Sequence, residues 1–204
     1  MCSKAVTTFS IAKLGDIADI YSGFPVRTRI AHDEDGAVAI VQMKDIDDDG
    51  TLHFERAARQ HLPAARAHHL LQSGDLVFRS RGQNNLAALV TGDPGVAVLA
   101  SPLLLVRPRT ALPAYLHWHL NLPSTQTALA ALSAGTSVQM ISKAVLAHLE
   151  LPLPDLSRQQ LIVNTAALAA VEQKLAQQIA TTRKQLIDHV LTRLASGAQL
   201  SSGT

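Results

Sequence analysis

A single cysteine, Cys2, stands in the 204-residue sequence, so no intramolecular disulfide framework can hold this chain together. Aromatic residues are scarce too, at 3% against a hydrophobic fraction of 47%, and any core is therefore made mainly of Ala, Leu, Val and Ile. No charge-free apolar run approaches the ~18 residues that mark a membrane span. The opening MCSKAVTTFS lacks the apolar segment of a signal peptide, so the chain reads as soluble and cytoplasmic. Catalytic signatures are missing as well: there is no Asn/Asp-Pro-Pro-aromatic methyltransferase motif, no G-x-G-x-x-G, no P-loop and no H-E-x-x-H. These absences point away from an enzyme and from a bound cofactor.

What the sequence does have is one very long helical segment. Ser157 to Gly197 carries no internal Pro or Gly. Ser157 and Gln160 have the S-x-x-Q spacing of a capping box, with Leu156 and Leu161 at the positions of a hydrophobic staple. At the other end Arg193 falls in the last turn and Gly197 at the C′ position. A helix over Arg158–Ser196 spans roughly 58 Å, several times the length of the ~11–12-residue average helix. Leu161, Leu168 and Leu175 repeat every seven residues, as in a coiled-coil seam. Leu168, Ile179 and Val190, with Leu175 and Leu186, repeat every eleven, which predicts a straighter or slightly right-handed course. Burying five or six such side chains at ~1.5–3 kcal/mol each gives a gross gain near ~10 kcal/mol before entropy costs. The rod is expected to protrude and pair with another helix.

Net charge is only +2, but it is unevenly spread. Residues 1–50 hold five Lys and Arg against nine Asp and Glu, residues 51–150 eight against four, and residues 151–204 five against three. Arginine outnumbers lysine twelve to six, and arginine suits forked contact with phosphate and guanine. The middle segment is thus the candidate for facing DNA, although ordinary solvated charge would look the same.

Along the chain, Ile11–Ile20 reads as a short helical turn or strand, and Tyr21-Ser22-Gly23-Phe24-Pro25 as a turn. Arg27 and Arg29 follow on alternate positions, sharing one side of an extended segment. Ala37–Val41 reads as a buried strand. Asp45, Asp47, Asp49 and Gly50 match the first, third, fifth and sixth positions of a calcium loop, but Arg56 occupies the twelfth, where a bidentate Glu is required; an acidic turn is expected and no metal. Leu76–Ser80 and Leu86–Val90 read as strands joined by Arg81-Gly82-Gln83-Asn84-Asn85. That loop combines a guanine reader with adenine readers, and Gly82 would permit close backbone approach. Val96–Ala100 and Leu103–Val106 continue the strands, and Ala114–Leu120 and Ser124–Ser133 read as helices. His117 and His119, two apart on a helix, point away from each other and cannot share an ion; with His68 and His69 they are taken as ordinary residues. Ala134–Lys143 is a loop of hydroxyl and amide donors suited to phosphate, with Ser142 as a helix cap. Leu151-Pro152-Leu153-Pro154 reads as a stiff spacer.

Taken in order, Lys13-Leu14-Gly15-Asp16-Ile17, Ser22-Gly23-Phe24-Pro25, Gly74-Asp75-Leu76-Val77, Gly135-Thr136-Ser137 and the step from Leu151-Pro152-Leu153-Pro154 into Gln159-Gln160-Leu161-Ile162-Val163 resemble the specificity (S) subunits of type I restriction-modification systems. The resemblance implies an α+β fold: a mixed, β-rich target-recognition domain over 1–154, a long protruding spacer and dimerisation helix over 155–197, and a disordered tail over 198–204. Such subunits usually carry two recognition domains and two helices packed antiparallel. This chain has one of each, so it is either a truncated relic or, as the leading expectation, a half-subunit that acts as a homodimer reading a split palindromic site. Its partners would be double-stranded DNA, methyltransferase (M) subunits and a restriction (R) subunit, with catalysis left to them. Arg79, Arg81, Gln83, Asn84 and Asn85 are the expected base contacts, and Arg27, Arg29, Thr136, Ser137, Gln139 and Lys143 the expected phosphate contacts. Leu161, Leu168, Leu175, Ile179, Leu186 and Val190 are the expected dimer seam. The rival reading is an assembly half-subunit that docks on methyltransferase partners through its helix without reading DNA. A small metal-dependent hydrolase would rest only on scattered histidines.

Overall fold

A computed structural model of the chain describes residues 10–25, 33–62, 67–82, 85–133 and 140–196. The chain divides into two compact units, Met1–Leu161 and Ile162–Thr204. The first unit is α+β. Its strands are β1 (Ser10–Lys13), β2 (Ala18–Ser22), β3 (Val38–Val41), β4 (Ala58–Gln60), β5 (Leu76–Arg79), β6 (Ala87–Leu89), β7 (Ala97–Leu99), β8 (Leu103–Pro108) and β9 (Glu150–Leu153). Its helices are a single turn α1 (Leu14–Ile17), α2 (Pro113–Leu120), α3 (Pro123–Ser133) and the short α4 (Lys143–Ala147), before α5 (Leu156–Ala195) begins.

Two sheets make the core. One runs β2-β8-β5-β6, antiparallel throughout; the other runs β4-β3-β7, with β3 and β7 parallel. Strand periodicity explains why they stack. Val77, Ala88, Leu103 and Leu105 form one cluster with Ala39, Val41, Ala97 and Leu99, whereas Val38, Ile40, Val98 and Ala100 form a separate cluster. With aromatics so few, Phe78 and Tyr115 are the largest of the fully buried side chains.

The Pro-rich step is not a spacer. Glu150–Leu153 pairs antiparallel with Ser10–Lys13, and Leu151 is buried. The extended φ that proline imposes serves an edge strand equally well. The helix start is also displaced from the expected one. Ser157 already lies inside α5, and the cap is Asp155, whose Oδ1 accepts from the Arg158 N–H at 2.9 Å. With Asp155 as the cap, the staple positions become Pro154 and Gln159. A hydrogen bond joins them in place of an apolar contact: Gln159 Nε2 donates to the Pro154 carbonyl at 2.7 Å. The other end of the same amide accepts from the Leu112 N–H at 2.8 Å, at the start of α2. Gln159 is 1% exposed, so the first turn of α5 is fastened into the first unit.

Beyond that turn α5 carries a row of exposed apolar side chains. Leu161, Leu168, Leu175, Ile179 and Leu186 are all more than half exposed, while Val190 is half-buried. At 3.6 residues per turn all six fall within about 60° of the helix circumference. Among the described residues no helix is long and apolar enough to cross a membrane.

Candidate nucleic-acid interface

The register around β8 decides which loops become neighbours. β2 ends with Ser22 opposite Leu104, and β5 ends with Arg79 opposite Leu103. The segments that follow, Gly23–Pro25 and Ser80–Gly82, therefore leave the sheet at the same end. Gly23 is required there, since a Cβ would sit 2.7 Å from the Ala100 carbonyl group and 2.8 Å from the Leu103 oxygen. Its N–H donates to that Leu103 oxygen at 2.8 Å, and the next N–H, of Phe24, donates to Leu99 at 2.6 Å. Gly82 is needed for a different reason from the one expected. Its φ is +115°, which L side chains rarely adopt, while the space beside it is open enough that the nearest atom to a Cβ would be Met43 Cε at 3.9 Å.

Ser80 then links this turn to a segment some sixty residues later in the chain. Its hydroxyl donates to the Pro102 carbonyl, and its own carbonyl accepts from the Ile141 N–H at 2.7 Å. Arg81 pairs with Met140 in an antiparallel bridge. The Arg81 turn and the far end of the Ala134–Lys143 loop are thus held side by side. Ser142 caps α4 as expected, its hydroxyl accepting from the Val145 N–H at 3.2 Å. Lys143, the first residue of α4, places its ammonium 5.8 Å from the Tyr21 ring centroid, which ties this segment to the end of β2 as well.

Of the expected base contacts, Arg81 is exposed. Arg79 is mostly covered, with 17% of its side chain exposed; its Nη1 reaches Asp48 at 3.5 Å and its Nε is buried without a hydrogen-bond partner. Asn85 requires a correction. It is buried, its Nδ2 donates to the Arg79 carbonyl at 3.0 Å, and its main-chain carbonyl accepts from Gln126 Nε2 at 2.9 Å. Its side-chain amide thus closes the turn on the Arg79 carbonyl, and that burial tells against the base-edge role expected of Asn85. Arg27, Arg29, Gln83, Asn84, Thr136, Ser137 and Gln139 lie outside the described residues.

The acidic turn beside this edge is held by its own side chains. Asp45, 1% exposed, accepts from the Gln42 N–H at 2.8 Å and closes a 3-10 turn. Arg56 donates to Asp47 at 3.0 Å, and His53 bridges Asp47 and Glu55 at 2.6 and 2.8 Å. These bonds raise the imidazole pKa of His53, that to Asp47 first, and the His53 bond holds Asp47 below its usual carboxylate value. Among the described residues no group of three or more His, Cys, Asp or Glu is placed to hold a metal ion. His117 and His119 sit in α2, both shifted below the ordinary imidazole value by burial.

Sequence reasoning missed Ser80, Met140 and Tyr21 as the pieces that assemble this edge. Neither spacing nor composition marks them, because each acts through a pairing with a distant segment.

No family model matches the sequence, and no curated protein matches it. Solved structures do. The HsdS subunit from Thermoanaerobacter tengcongensis superposes with a TM-score of 0.61 at 21% identity, over 94% of this chain and 45% of its own. A chain from a structure describing assembly and conformational transition of the type I R-M system gives 0.64 at 21% identity, over 93% of this chain and 44% of its own. The type I restriction-modification S subunit from M. genitalium gives 0.55 at 14% identity, over 96% and 48%. Likeness at this identity concerns the fold, and the chain spans a little under half the length of the structures it matches. Its β-rich unit and its long helix together have the fold of type I restriction-modification S subunits.

Proposed function

We propose that the chain reads double-stranded DNA sequence-specifically, as the non-catalytic specificity component of a type I-like restriction-modification complex. The observation that carries this reading is the Arg81–Met140 bridge. It joins the Arg81 turn to the phosphate-suited loop at the end of the sheet where β2 also stops, in a fold shared with S subunits. Arg81 and Arg79 are the described candidates for base edges, joined by Gln83 and Asn84. Lys143 is a phosphate contact, with Arg27, Arg29, Thr136, Ser137 and Gln139 as further candidates. Arg fits guanine O6 and N7 as a fork, and Lys fits phosphate as a point charge.

Two copies would pair antiparallel through Leu161, Leu168, Leu175, Ile179, Leu186 and Val190, bringing two recognition units together. Two-fold symmetry then requires a palindromic split target. Methyltransferase and restriction subunits would do the chemistry.

Duplex titration over a range of salt tests the DNA reading, since phosphate contacts impose a negative slope of log affinity on log salt. Methylome sequencing after coexpression with the operon's methyltransferase would give the target. Arg81→Ala should cost about 1–3 kcal/mol on the cognate site and relax its specificity, whereas Lys143→Ala should weaken all sequences alike. Equal loss on cognate and random DNA for Arg81→Ala would remove the base-contact assignment. The exposed helix row also suits the rival reading, a half-subunit that docks on methyltransferases without reading DNA; a flat, salt-insensitive titration would favour it.

A further inference from the structure

Two opposite charges stand beside the apolar row of α5. Glu172 and Arg183 are both exposed, and they lie roughly 30° and 50° to the same side of the row's centre. The residues three and four places from each are all apolar: Leu168, Ala169, Leu175 and Ala176 around Glu172, and Ile179, Ala180, Leu186 and Ile187 around Arg183. Neither therefore has an opposite charge at the spacings that meet on one helix. Eleven residues separate the two, roughly 16 Å along the axis, so they cannot meet each other within one chain. The other charges beyond the first turns point elsewhere. Lys174, Lys184 and Asp188 lie more than about 120° from the row's centre, and Arg193 follows its last member on the opposite flank.

An antiparallel second copy offers what the single helix does not. Three registers bring four of the six row residues level with one another. The first sets Leu168 level with the partner's Leu186 and Leu175 with the partner's Ile179. The second, with Leu161 level with the partner's Leu186, carries the partner's Ala195 past the start of α5 to the level of Pro152 in β9. The third, with Leu175 level with the partner's Val190, stops the partner's Ala195 at Ala170 and leaves Leu161 and Leu168 uncovered. In the first register the partner's Ala195 comes level with Gln159, and all six are covered. The shallow groove lined by Leu175, Ile179, Thr182, Arg183 and Leu186 then lies level with the partner's Leu168 to Ile179. Glu172 falls within about 1.5 Å of the level of the partner's Arg183, on the flank where charged side chains bridge two paired helices. A parallel pair would instead set Glu172 level with the partner's Glu172 and Arg183 with the partner's Arg183.

We propose that two copies pair antiparallel in this one register, Leu168 with the partner's Leu186 and Leu175 with the partner's Ile179, locked by two Glu172–Arg183 ion pairs. This deepens the pairing proposed above and rests on it. The apolar row supplies the attraction, and the two charges choose among the registers that it allows. The choice has a reach beyond the seam, because it sets the first turns of the two helices roughly 54 Å apart along the axis.

The test is charge reversal in the full chain, read by sedimentation equilibrium at low ionic strength. Each dimer holds the ion pair twice, so one reversal turns two attractions into two repulsions. Glu172→Arg and Arg183→Glu should each raise the dimer dissociation constant about tenfold or more, and the double variant should return to within about threefold of wild type. These differences should shrink as salt is added. A wild type that stays monomeric overturns both the register and the pairing. A wild-type dimer in which either reversal is silent, or in which the double variant is no tighter than the single ones, overturns the register alone. Should a reversal unfold the helix, cysteine cross-linking decides. In a Cys2→Ser background, chains carrying Leu168→Cys should form a disulfide with chains carrying Leu186→Cys and neither with itself, since each lies roughly 27 Å from its own copy along the axis. Leu168→Cys chains that link to one another would show parallel pairing and refute the proposal, and dimers without the mixed link would refute the register.

Discussion

Replacing Gln159 by Leu should unlatch the root of the long helix from its own domain. The side chain is 1% exposed and both ends of its amide are engaged, accepting from the Leu112 N–H at 2.8 Å and donating to the Pro154 carbonyl at 2.7 Å. Leucine fills a similar volume but offers neither bond, leaving one backbone donor and one backbone acceptor without their partners. Each such group costs about 1–3 kcal/mol when buried. Some water will reach them and leucine recovers part of the loss by its own burial, so a net destabilisation of about 2–4 kcal/mol is expected. Trp118, the only tryptophan, lies on α2, the helix that Leu112 precedes, and reports directly on this joint. Urea unfolding followed by Trp118 fluorescence should show a midpoint lowered by about 1–2 M, given a slope near ~2 kcal/mol/M for a domain of this size. A variant within about 0.5 kcal/mol of wild type would refute the reasoning, because it would mean that neither backbone group depends on the amide.

Asp75→Ala should cost about 3–5 kcal/mol: the carboxylate is 2% exposed, takes both bonds from Arg107 and also accepts from the Gln72 N–H at 2.7 Å; thermal melting will measure it, and a near-neutral change would contradict the burial. Because burial depresses the pKa of His117 and His119, the unfolded chain takes up these protons first, so their stabilisation is present above the ordinary imidazole value of ~6.5 and is lost as the pH falls through it. His119 is also 8% exposed with Nδ1 lacking a partner; His119→Phe should therefore flatten the decline in stability between pH 7 and pH 5, and an unaltered pH profile would exclude this histidine as a source. Leu168→Asp with Leu175→Asp should convert a helix-paired species to monomer in sedimentation without altering Trp118 fluorescence, whereas a wild type already monomeric at micromolar concentration would rule out the seam.

Local signals were readable where they were strong and short-ranged. The strands around Val77, Val98 and Leu105 and the helices beginning at Pro113 and Pro123 follow from apolar runs bounded by Gly and Pro. The long helix follows from forty residues without either. Its cap did not follow, because Asp155 and Ser157 are both good capping residues and the choice between them is made by Gln159 being buried beneath Leu112. The Pro-rich step was misread for a related reason: whether an extended segment is a spacer or a strand depends on a partner, and β1 lies some 140 residues earlier. At the candidate interface the sequence located the Arg81 turn and the Ser142 cap but had no means of joining them. Asn85 looked like its neighbours in a polar loop; its burial comes from Gln126 and the Arg79 carbonyl, contacts invisible to any local pattern.

The pairing of β1 with β9 has one consequence of its own. Its four rungs, from Ser10 with Leu153 to Lys13 with Glu150, place the start and finish of everything between them shoulder to shoulder. The whole candidate interface is thus an excursion from a two-stranded clasp. Another sequence could replace that excursion while meeting a single local demand, that its two ends arrive about 5 Å apart and antiparallel. Under the proposed role, specificity could then change wholesale while the clasp stays as it is, in the manner of an interchangeable tool bit in a fixed chuck.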